Sequence, residues 1–73
     1  MPLNPVLKVH TIFQDGSWVN ELGRDSPPIS RHDSMQEAIE SGRDYAQTRS
    51  TEHLVHDRDG LVADRRSYQR GHP

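Results

Sequence analysis

The chain has 73 residues, 30% of them hydrophobic, and its 9 basic and 11 acidic side chains give a formal charge of -2. A chain this short forms one domain with a thin core, and its charge excludes attraction to nucleic acid or anionic membranes by a global positive field. It has no cysteine, which excludes disulfides, thiolate metal sites and cysteine nucleophiles.

The N-terminal sequence MPLNPVLKVH lacks the basic segment and apolar run of a signal peptide. No stretch approaches the ~20 apolar residues that span a bilayer. We therefore expect a cytoplasmic protein with no membrane partner. Residues 1–73 form a single domain with an ordered core at about 6–68, and we expect flexibility in the loop at 23–33 and the tail at 69–73.

The first predicted element is a β-hairpin. Residues 6–14 (VLKVHTIFQ) are rich in β-branched side chains, and Asp15-Gly16 before SWVNEL is typical of a two-residue turn. Across that turn Phe13 pairs with Trp18, on a face that we expect to be buried. The opposite face carries a second apolar set that is available to a partner: Val6, Ile12 and Val19.

A helix is predicted next. The sequence SMQE at residues 34–37 is a capping box, and the helix should fade at residues 48–51, where threonine and serine accumulate. Gly42 lies within the apolar stripe and costs about 1 kcal/mol relative to alanine, which predicts a close approach to the sheet over Trp18. The stripe comprises Met35, Ala38, Ile39, Gly42, Tyr45 and Ala46.

A second hairpin closes the chain. Residues 52–58 (EHLVHDR) predict a third strand, Asp59-Gly60 a turn and residues 61–68 (LVADRRSY) a fourth strand. Its register has two alternatives. A two-residue turn puts Val55 on one face with Val62 and Tyr68, whereas a three-residue turn with Gly60 in a bulge puts Leu54 there instead.

These elements predict an α+β domain with the order β-β-α-β-β. The expected architecture is a four-stranded antiparallel sheet, in the strand order 2-1-3-4, with one helix packed on one face. Aromatic and large aliphatic side chains on the shared faces are the expected core: Phe13, Trp18, Ile39 and Tyr45.

Three segments, DGSWVNEL, EAIESGRDYAQ and TEHLVHDRDGLVADRRSY, resemble the small bacterial domain-of-unknown-function family 2188. The resemblance covers about positions 8–68, and its most specific part is the second hairpin ending at Tyr68. The loop at 23–33 is longer than expected for that family. The resemblance implies the fold described above and no activity, so no catalytic or binding residue is carried over.

The five histidines raise the question of a metal site, because imidazole is the commonest metal ligand. His53 and His56 are three residues apart, however, and on a strand they point to opposite faces. His56 can meet His10 only if the first and third strands are neighbours in a suitable register. We therefore expect no metal site and no cofactor.

Catalysis is not expected either. Asp57, Asp59 and Asp64 are the candidate acids and bases. Asp59 has an evident use in the turn, and the other two stand beside arginines, as is common on an exposed strand. No catalytic or nucleotide-binding fingerprint occurs, and a sheet with one helix leaves little room for a pocket.

The C-terminal hairpin has a local excess of arginine. Four arginines between positions 58 and 70 stand against two aspartates, and a tyrosine is available to stack on a base. Arginines on edge strands also prevent aggregation, and neighbouring strand positions point to opposite sides. A nucleic-acid-binding module is therefore the alternative function. Its candidate contacts are Arg58, Arg65, Arg66, Tyr68 and Arg70.

The leading hypothesis is a non-catalytic protein-interaction domain that binds itself or another protein. So thin a core leaves burial and chain entropy close to balance, and a second copy or a partner would supply the missing apolar contact. The face with Val6, Ile12 and Val19 and the edge strands are the expected places, by sheet stacking or strand addition.

Overall fold

The computed structural model describes residues 8–23 and 27–69, so predictions for Val6, Arg70 and most of the tail lie outside the described residues. One helix packs on one mixed five-stranded sheet in the order β3-β2-β1-β4-β5. Within residues 8–23 and 27–69, no helix has both the length and the hydropathy of a membrane-spanning segment. The elements are β1 (Val9–Gln14), β2 (Ser17–Glu21), β3 (Ser30–His32), α1 (Met35–Arg49), β4 (Glu52–His56) and β5 (Val62–Ser67).

The first two strands pair as the sequence predicts. Phe13 lies opposite Trp18 in an antiparallel ladder, and their rings are tilted against each other with centroids 5.1 Å apart. Asp15 and Gly16 both adopt positive φ, at 53° and 80°. This backbone has the twist that a two-residue hairpin turn requires.

The predicted four-stranded antiparallel sheet is wrong in strand number, direction and order. Residues 30–32, predicted as part of a loop, form β3 at the edge beside β2. Each added element reverses the direction of the chain, so this extra strand makes β4 run parallel to β1. Three residues without apolar alternation carry too little periodicity to predict a strand.

Helix α1 begins and ends at local caps. The Ser34 hydroxyl accepts a hydrogen bond from the Glu37 amide at 3.1 Å, as the capping box predicts. Ser50 ends the helix in the left-handed region, at φ 56°, and its amide donates to Gln47 at 3.2 Å. The helix lies across β1 to β4, and among the described elements its backbone does not approach β5.

Small residues make the contact between the helix and the sheet. Ala38, Gly42 and Ala46 are buried. Ile39 and Tyr45 at the margins of the helix, and Phe13 in β1, were predicted as core but are only half-buried. A helix that approaches a sheet closely has no space for large side chains on the contact line. Trp18 and six smaller apolar residues form the apolar core: Val9, Trp18, Val19, Ala38, Ala46, Leu54 and Val55.

The second hairpin follows neither predicted register completely. Its turn has three residues, because the Asp57 amide donates to the Leu61 carbonyl at 2.8 Å and Gly60 has φ 89°. A β-bulge between Val55 and His56 then shifts the ladder by one residue. Val55 therefore stays on the helix side with Tyr68, while Val62 pairs with His56 on the other face.

Candidate functional site

A chain of buried polar side chains lies between the sheet and α1. The Thr11 hydroxyl donates to Asn20 Oδ1 at 2.5 Å and lies 2.7 Å from Nε2 of His53. Because Thr11 has one hydroxyl proton and uses it on Asn20, Nε2 of His53 carries the proton in the second bond. The Asn20 amide donates to Ser30 Oγ at 3.1 Å and to the Ala38 carbonyl at 2.9 Å. This polar chain joins four strands to the helix.

Gly42 is the helix residue that passes over the polar chain. A Cβ atom at this position would lie 2.7 Å from Asn20 Oδ1, 2.7 Å from His53 Nε2 and 3.0 Å from Thr11 Oγ. The predicted close approach is confirmed, but the nearest atoms belong to the polar chain and not to Trp18. A side chain at position 42 would separate buried hydrogen-bonding partners, which explains the glycine physically.

His53 is held neutral in this chain. Only 3% of it is exposed, and burial lowers the pKa of His53, with Arg43 lowering it further and Asp64 acting in the opposite direction. A neutral ring with its proton on Nε2 is what the bond to Thr11 requires. The polar chain is therefore a structural element that ties the strands to the helix.

A second pair of histidines lies on the face of the sheet away from α1. His10 Nδ1 is 3.0 Å from His56 Nε2, and His56 Nδ1 is 3.2 Å from the Gly60 carbonyl oxygen. A carbonyl only accepts, so a neutral His56 ring has its proton on Nδ1 and accepts at Nε2 from His10. Burial lowers the pKa of His10, and repulsion by His56 and Lys8 adds to this.

The described residues do not assemble a metal site around these rings. His10 and His56 line an open depression of about 310 Å³ together with Ile12, Glu21 and Gly23. No group of three or more His, Asp or Glu side chains within residues 8–23 and 27–69 is arranged to hold a metal ion. The two rings do meet, because β1 and β4 are neighbours in a register that brings His10 beside His56.

The face of the sheet away from α1, which we call the open face, also carries the ion pairs of the described chain. Glu52 Oε1 lies 3.1 Å from Arg65 Nε and 3.8 Å from Lys8 Nζ. The Arg65 side chain is 61% exposed, so water screens these contacts and each contributes about 0–1 kcal/mol. Glu52 thus compensates the charge of Arg65 beside the sheet edge.

Strand β5 forms that edge, and all six of its residues are exposed. It pairs with β4 on one side only. The Tyr68 amide donates to the Thr51 carbonyl at 3.0 Å, and hydrogen-bonded positions alternate along an antiparallel ladder. The backbone N–H and C=O of Asp64 and Arg66 therefore point to β4, whereas those of Arg65 and Ser67 point outward.

Apolar side chains are exposed at the beginning of this edge. Leu61 is 67% exposed and Val62 is 52% exposed. On the helix side, Asp64 and Arg66 line a small cavity of about 70 Å³ that also includes Tyr68. The edge thus combines outward backbone groups, two exposed aliphatic residues and charged side chains on both faces.

A family model matches residues 9–68 of this chain. The family is described as an uncharacterized protein conserved in bacteria (DUF2188). The chain belongs to this family. The resemblance inferred from the three sequence segments is thereby confirmed, and the match includes the polar chain, the histidine pair and β5. No curated protein and no solved structure matches the chain significantly.

The arginines predicted to contact nucleic acid do not share one surface in this DUF2188 domain. Arg58 lies over the Phe13 ring, with its guanidinium carbon 4.6 Å from the centroid. Arg65 is on the open face with Glu52, and Arg66 lies on the helix side with Tyr68. Nucleic-acid contact through these residues stays a prediction, with its candidates divided between two faces.

The predicted partner face has little accessible apolar surface in its described part. Val19 is fully buried and Ile12 is half-buried, although the two lie opposite each other in the ladder. Edge strands are the other predicted place for a partner, and β5 is one of the two edge strands of the sheet. The sequence LVADRRSY did indicate an edge strand, because its three consecutive charged residues, Asp64 to Arg66, are typical of an exposed edge.

Proposed function

We propose that this DUF2188 protein is a non-catalytic binding module that recognises a protein partner by strand addition to β5. The observation that carries the proposal is the edge itself: six exposed residues with the backbone groups of Arg65 and Ser67 directed outward. An added strand pairs with such groups through main-chain hydrogen bonds, and alternate side chains supply specificity.

The side chains around the edge support a specific partner over indiscriminate aggregation. Leu61 and Val62 offer an apolar contact at its beginning. Asp64, Arg65 and Arg66 follow, and charges on an edge strand oppose pairing with strands that do not match them. The edge therefore selects by charge while binding through its backbone.

Nucleic acid remains the alternative partner. The division of Arg65 and Arg66 between two faces leaves no continuous basic surface among the described residues, and this favours a protein partner. We also propose the cytoplasm as the place of action, since a chain without cysteine is compatible with a reducing compartment.

Site-specific photocrosslinking tests the proposal. A photoreactive residue at Leu61, at the beginning of the β5 edge, should yield covalent protein adducts in bacterial cells that express the full chain. The matched control is the same residue at Glu40, which is exposed on α1. Nuclease-sensitive adducts would support nucleic acid instead, and equal adducts from both positions would contradict the proposal.

A backbone variant shows whether such adducts depend on strand addition. Arg65→Pro removes the outward amide at the centre of the edge and leaves the bonds from β5 to β4 in place. Arg65→Ala removes the same side chain and keeps the amide. We expect adducts from position 61 to be lost with proline and retained with alanine; retention with both would overturn strand addition.

A further inference from the structure

We propose that a second copy of this chain is the partner of β5, paired antiparallel in the register that places Arg65 opposite Arg65 of the second copy. The inference rests on the proposed strand addition at β5 and adds the partner's identity and register. It starts from two side chains of the edge, Asp64 and Arg66, that make no ion pair within the described chain.

Backbone geometry first limits the registers. The backbone N–H and C=O groups of Arg65 and Ser67 point outward. An added antiparallel strand must form hydrogen bonds to them with its own outward-pointing N–H and C=O groups. Two copies of β5 therefore pair odd positions with odd and even positions with even. Such pairing keeps both helices on the same face of one continuous sheet. The registers near the middle of the strand are centred on Asp64, Arg65 or Arg66.

The charges then select one of these registers. Centring on Asp64 places two carboxylates opposite each other, and centring on Arg66 places two guanidinium groups opposite each other. Like charges directly across a ladder are destabilising. Centring on Arg65 instead places each Asp64 opposite Arg66 of the second copy, so two reciprocal ion pairs form on the helix side.

The facing arginines at the centre are already compensated. Each Arg65 Nε lies 3.1 Å from Glu52 Oε1 of its own chain, so two ion-paired groups meet on the open face. The reciprocal Asp64 and Arg66 pairs occupy positions without mutual backbone hydrogen bonds. Side chains are closest at such positions, where opposite Cα atoms are about 4.5 Å apart.

The bulge at the beginning of β5 strengthens the choice. The regular part of the edge begins at Asp64, because the ladder shifts between Val55 and His56. A register centred on Asp64 would set Arg65 against Ala63, inside the irregular segment. The register centred on Arg65 keeps its central hydrogen bonds within the regular part.

Charge reversal tests the register. Asp64→Arg and Arg66→Asp each turn two attractive pairs into two repulsive ones, and we expect the dimer dissociation constant to rise on the order of tenfold. The double variant Asp64→Arg with Arg66→Asp reverses both partners, so the dissociation constant should return to within about threefold of the starting protein. Sedimentation equilibrium from about 10 µM to about 1 mM measures all four proteins.

Each outcome decides the proposal. A monomeric protein at every concentration, a dimer insensitive to either single reversal, or a double variant as weak as the single variants would overturn it. Circular dichroism of each variant checks folding, and the double variant keeps the test informative if one single variant is unstable. If the protein is monomeric but still gives proline-sensitive adducts from position 61, the second copy is excluded as the partner. Strand addition to β5 is then retained.

Discussion

The two faces of the sheet use polar residues for opposite purposes. Under α1, Thr11, Asn20 and His53 are buried and bonded to one another in a directed chain. On the open face, His56 and Glu52 are partly accessible and make contacts at the border with solvent. Alternation along β4 alone separates His53 from His56.

The difference teaches where polar contacts stabilise a fold and where they remain available to a partner. Leaving a buried donor or acceptor unsatisfied costs about 1–3 kcal/mol, whereas an exposed ion pair contributes about 0–1 kcal/mol. The covered face should therefore control stability. The open face and the edge beside it should change in charge with little effect on folding, which is compatible with the recognition role proposed for the edge.

The largest difference between the faces should come from their apolar anchors. Trp18→Ala on the covered face removes a side chain that is 5% exposed, and we expect a loss of about 3–5 kcal/mol. Ile12→Ala, on the open face and half-buried, should cost about 1 kcal/mol. Urea denaturation measures both, and similar losses would contradict a larger contribution to stability from the face under α1.

Gly42→Ala tests whether the polar chain sets the helix position. Alanine favours a helix by about 1 kcal/mol over glycine, yet its Cβ would meet the atoms of Thr11, Asn20 and His53 at 3.0 Å or less. We expect a net loss of about 1–3 kcal/mol from overpacking. The control Glu40→Ala, on the exposed side of the helix, should change the free energy of unfolding by less than about 0.5 kcal/mol. A stabilised Gly42→Ala protein would refute the close contact.

Acid should weaken the fold through both faces, and more through the covered one. Burial lowers the pKa of His53 and of His10 below the usual 6.5, so the unfolded chain binds more protons just below that pH. The contribution of the two neutral histidines to the free energy of unfolding should be complete above about pH 6.5. It should fall as the pH drops toward the lowered pKa values.

Two matched variants assign this pH dependence to the individual rings. His53→Gln keeps a donor toward Thr11 without a titrating ring, and His10→Asn does the same toward His56. Each should flatten the dependence, His53→Gln more strongly because His53 is the more buried. Urea denaturation at pH 5 to 8 measures the slopes, and an unchanged slope in both variants would exclude these rings as its source.

The smallest effect should come from the ion pairs of the open face. Glu52→Gln removes the carboxylate that contacts Arg65 and Lys8, and its expected cost is about 0–1 kcal/mol because both cations are exposed. The measurement is urea denaturation at low and high salt, where the difference from the unchanged protein should shrink as salt rises. If Glu52→Gln lowered the free energy of unfolding as much as Trp18→Ala, the two faces would not differ in their contribution to stability.

Local features of the fold were predictable, and long-range pairings were less so. The pairing of Phe13 with Trp18 follows from the Asp15-Gly16 turn, and the helix start follows from Ser34, because each involves neighbours in sequence. The parallel pairing of β4 with β1 depends on β3, a three-residue strand whose pattern is too short to detect. One missed element reversed the predicted direction of β4.

The candidate site shows the same division. The sequence predicted the last strand and its charged residues, but it did not predict on which face of the sheet each charged side chain lies. A bulge at Val55 and His56 sets those faces by inserting one residue into the ladder. The polar chain was missed because none of Thr11, Asn20 and His53 has an apolar signature. Thr11 and Asn20 face each other across the first hairpin, but His53 joins them only through the parallel pairing of β4 with β1.

By itself the sequence determined the family, the single helix with its cap, and the paired strands on either side of it, because turns, caps and periodicity depend on residues close along the chain. Only the tertiary structure decided that β1 and β4 run parallel, that Gly42 lies on a buried polar chain, and that Arg65 and Arg66 lie on opposite faces of an exposed edge. These features depend on strand direction, on contact between distant side chains and on one bulge. The chain satisfies such conditions only when all its elements pack together.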